Sequence, residues 1–314
     1  MRAVTIVDGA LVVREHPDPV AGAGEILVAV RAAGLNGADM LQRKGRYPVP
    51  PGAPKDIPGL EFAGEVIATG PRAARFKVGD RVMAVVAGGG QAERIVLHER
   101  EAMLVPAGLS WAEAGAFSEV FMTAHDVLFT QGRLACGERL CVHGAAGGVG
   151  MAAVQLAAAA GVRVTATVRS AAVRARVMAL GAKVIDPSET QAHGPYDMIL
   201  ELVGAANLAT NLASLNRRGR IAIVGITGGG GETMFDFRAA MKVSATIFAS
   251  SLRARPLEQK ADAARKLETH VLPLFDAGKL EVPIQAQFAL ADAEAAYASY
   301  QTPGKFGKIV LLMP

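Results

Sequence analysis

Cysteine is nearly absent from this 314-residue chain: only Cys136 and Cys141 occur. Two thiols build neither a disulfide framework nor a four-thiolate zinc site. A reducing, cytoplasmic setting is the default, and both thiols are expected to be buried structural residues. The six histidines (His16, His98, His125, His143, His193 and His270) contain no i, i+4 pair and form no Cys/His cluster. A zinc site of two cysteines and a histidine is therefore not visible, and His125 and His143 are expected to pack. No Gly-x-Ser-x-Gly turn occurs, which argues against an α/β-hydrolase. Aromatic residues are only 5% of the chain, too few for a basic and aromatic strip that stacks bases. The 33 basic residues exceed the 29 acidic ones by four, and the densest basic groups, at 169–176 and 217–220, are short. Nucleic acid is not an expected partner. The longest apolar stretch, 149–162, is interrupted by Gln155 and falls short of the roughly 18 residues of a membrane span. The opening stretch carries Asp8, Arg14 and Glu15 and does not read as a signal peptide. A membrane is not an expected partner either.

Hydrophobic residues at 51% and charged residues at 20% describe an ordinary globular protein. At roughly 100–200 residues per domain, the length predicts about two domains. Over the first ~110 residues, short apolar runs at 26–31, 64–69, 80–86 and 93–97 read as strands. Turn signals at 22–24, 48–54 and 88–90 separate them, so this part is expected to be β-rich and barrel-like. After Pro106 the pattern changes. Ser110 with Glu113 forms a capping box that opens a helix through Ala116, and a second helix is expected over 120–131. Apolar strands at 139–143, 163–168, 183–186, 198–203, 220–225 and 244–249 then alternate with helices at 149–160, 172–180 and 208–215. That alternation predicts a doubly wound parallel sheet covered on both faces. A long helix from 257 to about 275 and a strand at 308–312 follow. The last strand is expected to return to the first unit, which makes the α/β domain an insertion.

The sharpest motif is His143-Gly-Ala-Ala-Gly-Gly-Val-Gly150, between a strand and a helix. This is the setting of a dinucleotide-binding turn, although Ala145 stands at the first glycine of the usual spacing. Gly147 lets the backbone approach a pyrophosphate, and Gly150 allows close helix–strand packing. Backbone N–H groups of Ala146, Gly147, Gly148 and Val149 then meet the phosphates at the helix start. NAD sites carry an acid about 20 residues on, to hold the ribose 2′-hydroxyl. Arg169 and Ser170 stand there instead, with Arg174 one turn later. Charge-assisted contacts from these residues suit a 2′-phosphate, so NADPH is the expected cofactor over NADH.

Several blocks occur in order: 34–48 (GLNGADMLQRKGRYP), 50–54, 57–65 (IPGLEFAGE), 78–82, 142–150, 250–255 (SSLRAR) and 307–310. Through them the whole chain resembles the medium-chain dehydrogenase/reductase superfamily in its zinc-free quinone oxidoreductase branch. The subgroup that includes the p53-inducible quinone oxidoreductase is particularly similar. The resemblance implies a GroES-like catalytic domain over 1–116 and 262–314 and a Rossmann NADP-binding domain over 117–261, with an active-site cleft between them. Zinc-dependent members have a cysteine where this chain has Asn36 and a histidine where it has Leu60. The lobe that holds their structural zinc is missing near 88–93. The resemblance places Asn36 and Tyr47 in the quinone site, where the Tyr47 phenol would hydrogen-bond a carbonyl and help deliver a proton. Asp39, in the same block, is read as a cap of the following helix. By resemblance Thr123, the 225–227 stretch with Gly225 and Ile226, and the loop at Ser250 lie beside the nicotinamide, and Lys305 contacts the cofactor. The chain departs from NADPH-preferring members at Val173 and Pro187, where they carry a lysine and a tyrosine; Arg169 with Arg174 is read as the substitute.

The resulting expectation is a cytoplasmic, zinc-independent NADPH:quinone oxidoreductase acting on a quinone or other conjugated carbonyl. The alternatives are an NADPH-dependent enone or alkenal reductase and a non-catalytic NADPH-binding protein. The strand at 244–249 reads as a sheet edge, through which a homodimer is expected.

Overall fold

The structure, a computed structural model, describes residues 1–226, 228 and 231–314. It divides into two compact units: residues 1–122, 252–303 and 307–314 form the first, and 123–251 with 304–306 form the second. Among the described residues no helix is long and apolar enough to cross a membrane.

The first unit opens with an antiparallel hairpin, β1 (Arg2–Val7) and β2 (Ala10–Glu15). Asp8 and Gly9 join them at φ of 48° and 81°. Positive φ at both turn residues gives the connection a twist that matches the strands, and Asp-Gly is the pair that tolerates it. This hairpin is absent from the strand expectations above. The strands β3 (Glu25–Gly34), β4 (Glu61–Thr69), β5 (Arg81–Val85), β6 (Arg94–His98) and β7 (Ala102–Leu104) follow, with the helix α1 (Gly37–Arg43) between β3 and β4. Along most of β3 buried and half-buried positions alternate, the period-2 signature of a strand with one face on a core. The short helix α2 (Trp111–Gly115) begins at the expected box: the Ser110 hydroxyl accepts from the Glu113 N–H, and Glu113 accepts from the Ser110 N–H. The helix α3 (Ser118–His125) does not continue regularly to residue 131 as expected. It widens into a π-helical turn over Asp126–Gln131, closed by the Gly132 N–H on the Val127 carbonyl at 3.0 Å.

The second unit is the expected α/β alternation. Its elements are β8 (Arg139–Val142), α4 (Gly148–Ala159), β9 (Arg163–Thr167), α5 (Ala171–Ala179), β10 (Lys183–Ile185), β11 (Tyr196–Glu201), α6 (Leu208–Ala213), β12 (Leu215–Ile223), α7 (Phe237–Val243) and β13 (Thr246–Ala249). All six strands are parallel, in the order β10-β9-β8-β11-β12-β13. The strand order reverses between β8 and β11, the place where doubly wound sheets hold ligands at their carboxyl ends. The strand β13 is an edge of this sheet. Small side chains let α4 lie close on the sheet, and every residue from Gly150 to Ala157 is buried. Cys141 belongs to the core with Tyr196, Ile199 and Ile221. Cys136 does not: it is exposed, in the turn before β8, with Sγ 3.7 Å from the Gly161 carbonyl.

The chain then returns to the first unit through α8 (Leu257–His270), α9 (Leu272–Asp276), β14 (Ile284–Ala289), α10 (Ala293–Gln301) and β15 (Lys308–Leu312). The long helix expected to about 275 breaks at Val271. Pro273 lacks an N–H and fits the first turn of a new helix better than the interior of an old one. The strand β15 pairs antiparallel with β3, so the closing strand does return. The sheet order is β14-β15-β3-β4-β5-β7, with β6 also on β3. Its core includes Ile26, Val28, Phe62, Val82, Tyr297 and Leu311.

Candidate active site and cofactor edge

In the second unit the glycine-rich turn leaves β8 and enters α4. Gly144 takes a φ of 69°, where a side chain is strained. A Cβ on Gly150 would lie 2.6 Å from the Gly144 carbonyl oxygen and 2.7 Å from the Ala145 Cα. Glycine is therefore required for the helix to start this close to the strand. Gly147, the N-cap of α4, contributes no side-chain cap, and a Cβ there would meet only the Gly144 carbonyl at 3.4 Å. The first N–H groups of α4 have no partner within the helix. Ala146, Gly147, Gly148 and Val149 around them are half-exposed. The Gly147 N–H is not open, since it donates to the Gly144 carbonyl at 3.0 Å; the first N–H groups of α4 and the helix dipole fit a pyrophosphate.

The other strand ends carry the remaining candidates. Arg169, after β9, is exposed. Ser170 is the N-cap of α5, yet its hydroxyl makes no capping bond. Arg174 is not a free cation. Its Nε donates to the Val168 carbonyl at 3.0 Å and its Nη2 to Asp186 at 2.7 Å. Asp186 follows β10, and the Ser188 hydroxyl and N–H, with Arg174, hold its carboxyl below the usual range. The expected contribution of Arg174 to a 2′-phosphate thus competes with an ion pair. Val173 is buried and Pro187 starts a short 3-10 turn. Residues 304–306 dock at this same end. A Cβ on Gly304 would lie 3.6 Å from the Ser170 hydroxyl oxygen, and the Arg176 guanidinium stands 4.2 Å over the Phe306 ring. Lys305 lies between these two anchors.

Gly225 follows β12, and a Cβ there would press to 2.9 Å on the Leu202 carbonyl. Ile226 is 48% exposed; Thr227, in the same expected stretch, lies outside the described residues. Ser250 follows β13 and accepts from the Gln131 side chain at 2.8 Å, while Gln131 also donates to Asp126 at 2.6 Å. The π-helical turn presents this pair. The turn at 146–149, Arg169, Ser170, Gly225, Ile226 and Ser250 therefore all follow carboxyl ends of one sheet or open the next helix. Thr123 does not belong to that series; it is buried in α3.

The first unit holds a buried charged cluster. Asn36 is the N-cap of α1, and its N–H donates to Asp39 Oδ2 at 2.8 Å. Its side-chain Nδ2 donates to Glu61 Oε1 at 3.0 Å and to the Gly34 carbonyl at 3.3 Å. Its Oδ1 accepts from Lys308 Nζ at 2.6 Å. Lys308 Nζ donates further to Glu61 Oε1 at 2.7 Å and to the Leu35 carbonyl at 2.8 Å. Glu61 Oε2 accepts the Glu119 N–H at 2.9 Å. Lys308 is 4% exposed and Glu61 fully buried, so this ion pair is shielded from water. Both amide donors of Asn36 and its oxygen are engaged inside the protein. Asp39 does cap α1, and it also accepts the Gly59 N–H at 3.2 Å; burial pushes its carboxyl up to about 7.

Tyr47 is half-buried, and the Arg253 guanidinium stands 4.7 Å over its ring. Arg253 is anchored by Gln42 Oε1 at 2.6 Å and by the Ala87 carbonyl at 2.7 Å. Sequence reasoning missed Glu61, Lys308 and Arg253, although each stands inside one of the blocks quoted above. Asn36 and Tyr47 attracted notice instead, because a departure from zinc-ligand types and a phenol are chemically conspicuous.

The same cluster decides the fit of a metal ion. Asn36 and Glu61 already hold a cation, the Lys308 ammonium, and a divalent ion beside it would meet like charge. Among the described residues no group of three or more His, Cys, Asp or Glu side chains could hold a metal. The residues present do not fit zinc.

Comparison with known proteins matches residues 22–131 to the alcohol dehydrogenase GroES-like domain and residues 148–271 to the zinc-binding dehydrogenase family. Among curated relatives, the pikromycin polyketide synthase component PikAII of Streptomyces venezuelae is 34% identical over 306 residues. That match covers 95% of this chain but only 8% of the synthase component. The quinone oxidoreductase of Rattus norvegicus is 29% identical over 330 residues, covering 100% of this chain and 98% of that protein. Among solved structures, an alcohol dehydrogenase superfamily protein from Novosphingobium aromaticivorans superposes with a TM-score of 0.88 at 27% identity, with all of both chains covered. Mycobacterial Rv1454c, solved as its NADPH complex, superposes with a TM-score of 0.87 at 28% identity and 99% coverage of both chains. With a GroES-like β-rich unit matched over 22–131 and a Rossmann-like parallel sheet matched over 148–271, the chain belongs to the alcohol dehydrogenase-like medium-chain dehydrogenase/reductase superfamily.

Proposed function

We propose that the chain is a zinc-independent, NADPH-dependent reductase of carbon–carbon double bonds conjugated to a carbonyl. The observation that carries this reading is the similarity of 95% of the chain to a polyketide synthase component at 34% identity, above the 29% to the rat quinone oxidoreductase. A polyketide synthase, GfsB, and a phthioceranic/hydroxyphthioceranic acid synthase match at 32% over 93% of the chain, which spans 5% and 14% of their lengths. Such synthases handle acyl chains, and a double bond conjugated to an acyl carbonyl accepts hydride at its β-carbon.

The nicotinamide supplies the hydride when bound. The residues of the chain bind, orient and protonate. The second unit, expected over 117–261, is assigned to the cofactor together with 304–306, and the first, expected over 1–116 and 262–314, to catalysis together with Arg253. The N–H groups of Ala146, Gly148 and Val149 take the pyrophosphate, while the Gly147 N–H closes the turn on the Gly144 carbonyl. Arg169, with Ser170 and Lys305, takes the 2′-phosphate and sets the preference for NADPH. Gly225, Ile226, Ser250 and Thr123 are assigned to the nicotinamide end. In the first unit Tyr47 is assigned the proton that neutralises the enolate, and Arg253 fixes its ring. Asn36, held by Lys308 and Glu61, fixes the start of α1.

A second reading is quinone reduction, as in the subgroup that includes the p53-inducible quinone oxidoreductase. The full-length match to the rat quinone oxidoreductase favours it. Both readings place the protein in the cytoplasm, as a homodimer paired through the β13 edge. A monomeric mass by light scattering at micromolar concentration would remove the dimer. The deciding experiment follows NADPH oxidation, with NADH in parallel, against α,β-unsaturated acyl thioesters, enones and ortho- and para-quinones. A saturated product formed at a higher kcat/KM than any quinone turnover supports the first reading. Quinones that outpace every enone and thioester would replace it with the second.

A further inference from the structure

Beneath the cofactor edge of the second unit lies a row of buried polar side chains. Thr167 closes β9, His143 directly follows β8, and Glu201 closes β11. These three strands are neighbours in the sheet, on both sides of the point where the strand order reverses. Asn211, from α6, completes the row, and all four side chains are 3% exposed or less. Interiors of parallel sheets are normally apolar, so a polar row here costs stability unless every member is satisfied.

The hydrogen bonds run in one direction. Glu201 is the acceptor at one end. It takes the N–H of Val203 at 2.7 Å, the N–H of Gly204 at 2.8 Å, the Asn207 amide at 3.1 Å and the Asn211 Nδ2 at 2.8 Å. An acceptor-only carboxylate forces the NH2 of Asn211 toward itself, so Asn211 Oδ1 faces His143 Nε2, at 2.8 Å. The Nε2 must then carry the proton. In the neutral ring Nδ1 is left to accept from the Thr167 hydroxyl, 3.0 Å away. Cys141 Sγ, 4.0 Å from Nε2, is too far and too weak a partner to change this assignment.

The row touches three loops at once. His143 adjoins Gly144, the start of the glycine-rich turn. Thr167 lies two residues before Arg169. Glu201 holds the Val203-Gly204 loop, and Val203 packs against Gly144, where a Cβ would lie 3.4 Å from its Cγ2. We propose that Thr167, His143, Asn211 and Glu201 form one positioning relay that fixes these three loops at cofactor-binding height, with His143 as its Nε2–H tautomer. The relay rests on the assignment of this edge to NADPH made above. None of its members touches the cofactor; they act through the loops.

The test uses the full chain. Thr167→Val removes the hydroxyl and keeps the shape, whereas Thr167→Ser keeps the hydroxyl. Fluorescence titration with NADPH should give a Kd raised about tenfold for Thr167→Val, the loss of roughly one buried hydrogen bond. Thr167→Ser should restore it to within about twofold. In turnover the effect should fall on the KM for NADPH rather than on kcat. Nitrogen NMR of the His143 ring gives an independent readout. The unaltered protein should carry the proton on Nε2. In Glu201→Gln the new amide faces the NH2 of Asn211, so Asn211 must turn over and the proton must move to Nδ1. An unchanged NADPH Kd in Thr167→Val, or a His143 proton on Nδ1 in the unaltered protein, overturns the relay. If the unaltered protein binds neither NADPH nor NADH, the proposed function fails instead. The tautomer pair then decides the relay alone: Nε2 moving to Nδ1 in Glu201→Gln upholds it, and any other result overturns it.

Discussion

The two units bury polar groups in opposite ways. In the second unit the row from Thr167 to Glu201 is assembled by strand register: residues at equal height on adjacent parallel strands meet because the sheet aligns them. It contains one carboxylate, which is neutralised by four N–H donors rather than by a cation. In the first unit the cluster at Asn36 is a true ion pair, and its cation arrives from β15, 247 residues away from Glu61. Hydrogen-bonded rows and buried ion pairs differ in what their loss costs. Replacing a whole buried pair by apolar groups is often neutral, but removing one partner strands the other charge. The first unit should therefore be the more fragile to single substitutions, and the second the more sensitive in cofactor affinity.

The sharpest way to break that contrast is Lys308→Met. It leaves Glu61 buried and unpaired, and urea unfolding should report a loss of about 3–5 kcal/mol. Glu61→Gln added to Lys308→Met should recover part of this. A loss under about 1 kcal/mol for the single variant would mean that water reaches Glu61.

Next in size is the pH dependence of Asp39. Burial raises its folded-state carboxyl above the ordinary 3.8, up to about 7. Between those values the folded chain holds more protons than the unfolded one. Its contribution to stability therefore falls as pH rises through that window, by about 4 kcal/mol in total. Asp39→Asn, which cannot ionise, should flatten that part of the profile measured by urea unfolding from pH 4 to 8. A profile with the same slope in both proteins would assign the dependence elsewhere.

Gly150→Val probes the second unit directly. The added Cβ meets backbone at 2.6 Å and 2.7 Å, and backbone cannot rotate aside. Thermal unfolding should show a loss of about 1–3 kcal/mol, with NADPH affinity falling as the turn is displaced. Gly147→Ala, which meets one atom at 3.4 Å, should fold normally. Equal destabilisation by both substitutions would refute the close packing at Gly150.

The smallest expected effect is Arg169→Ala. The ratio of kcat/KM for NADPH over NADH should fall about tenfold, the loss of one charge-assisted contact at an exposed site. Asp186→Asn should move the ratio the other way by releasing Arg174 from its ion pair. No change in either variant would place 2′-phosphate recognition on other residues.

The second unit was legible in the sequence because its signals are local. A strand, a glycine turn and a small-residue helix lie within 139–160, and each is specified by its own neighbours. The edge position of β13 and the return of the last strand could be read from order alone. The exposed Cys136 was misread because a thiol next to an apolar strand looks like core, whereas it occupies the turn before β8. The π-helical turn at 126–131 was read as regular helix because nothing in its apolar pattern distinguishes the two. The hairpin at Asp8-Gly9 carried a recognisable turn signal and was passed over.

Local chemistry in the sequence thus determined the two-unit organisation, the strand order signals and the glycine-rich entry to α4. These depend on steric rules within a few residues of chain. The tertiary structure alone decided that Asn36 faces inward and that its side-chain oxygen accepts from Lys308. It alone decided that Arg174 is held by Asp186 and that the His143 ring lies between Thr167 and Asn211. Each of these depends on which distant groups close around a buried polar atom. A buried donor or acceptor must find a partner, and only the packed fold determines which one is within reach.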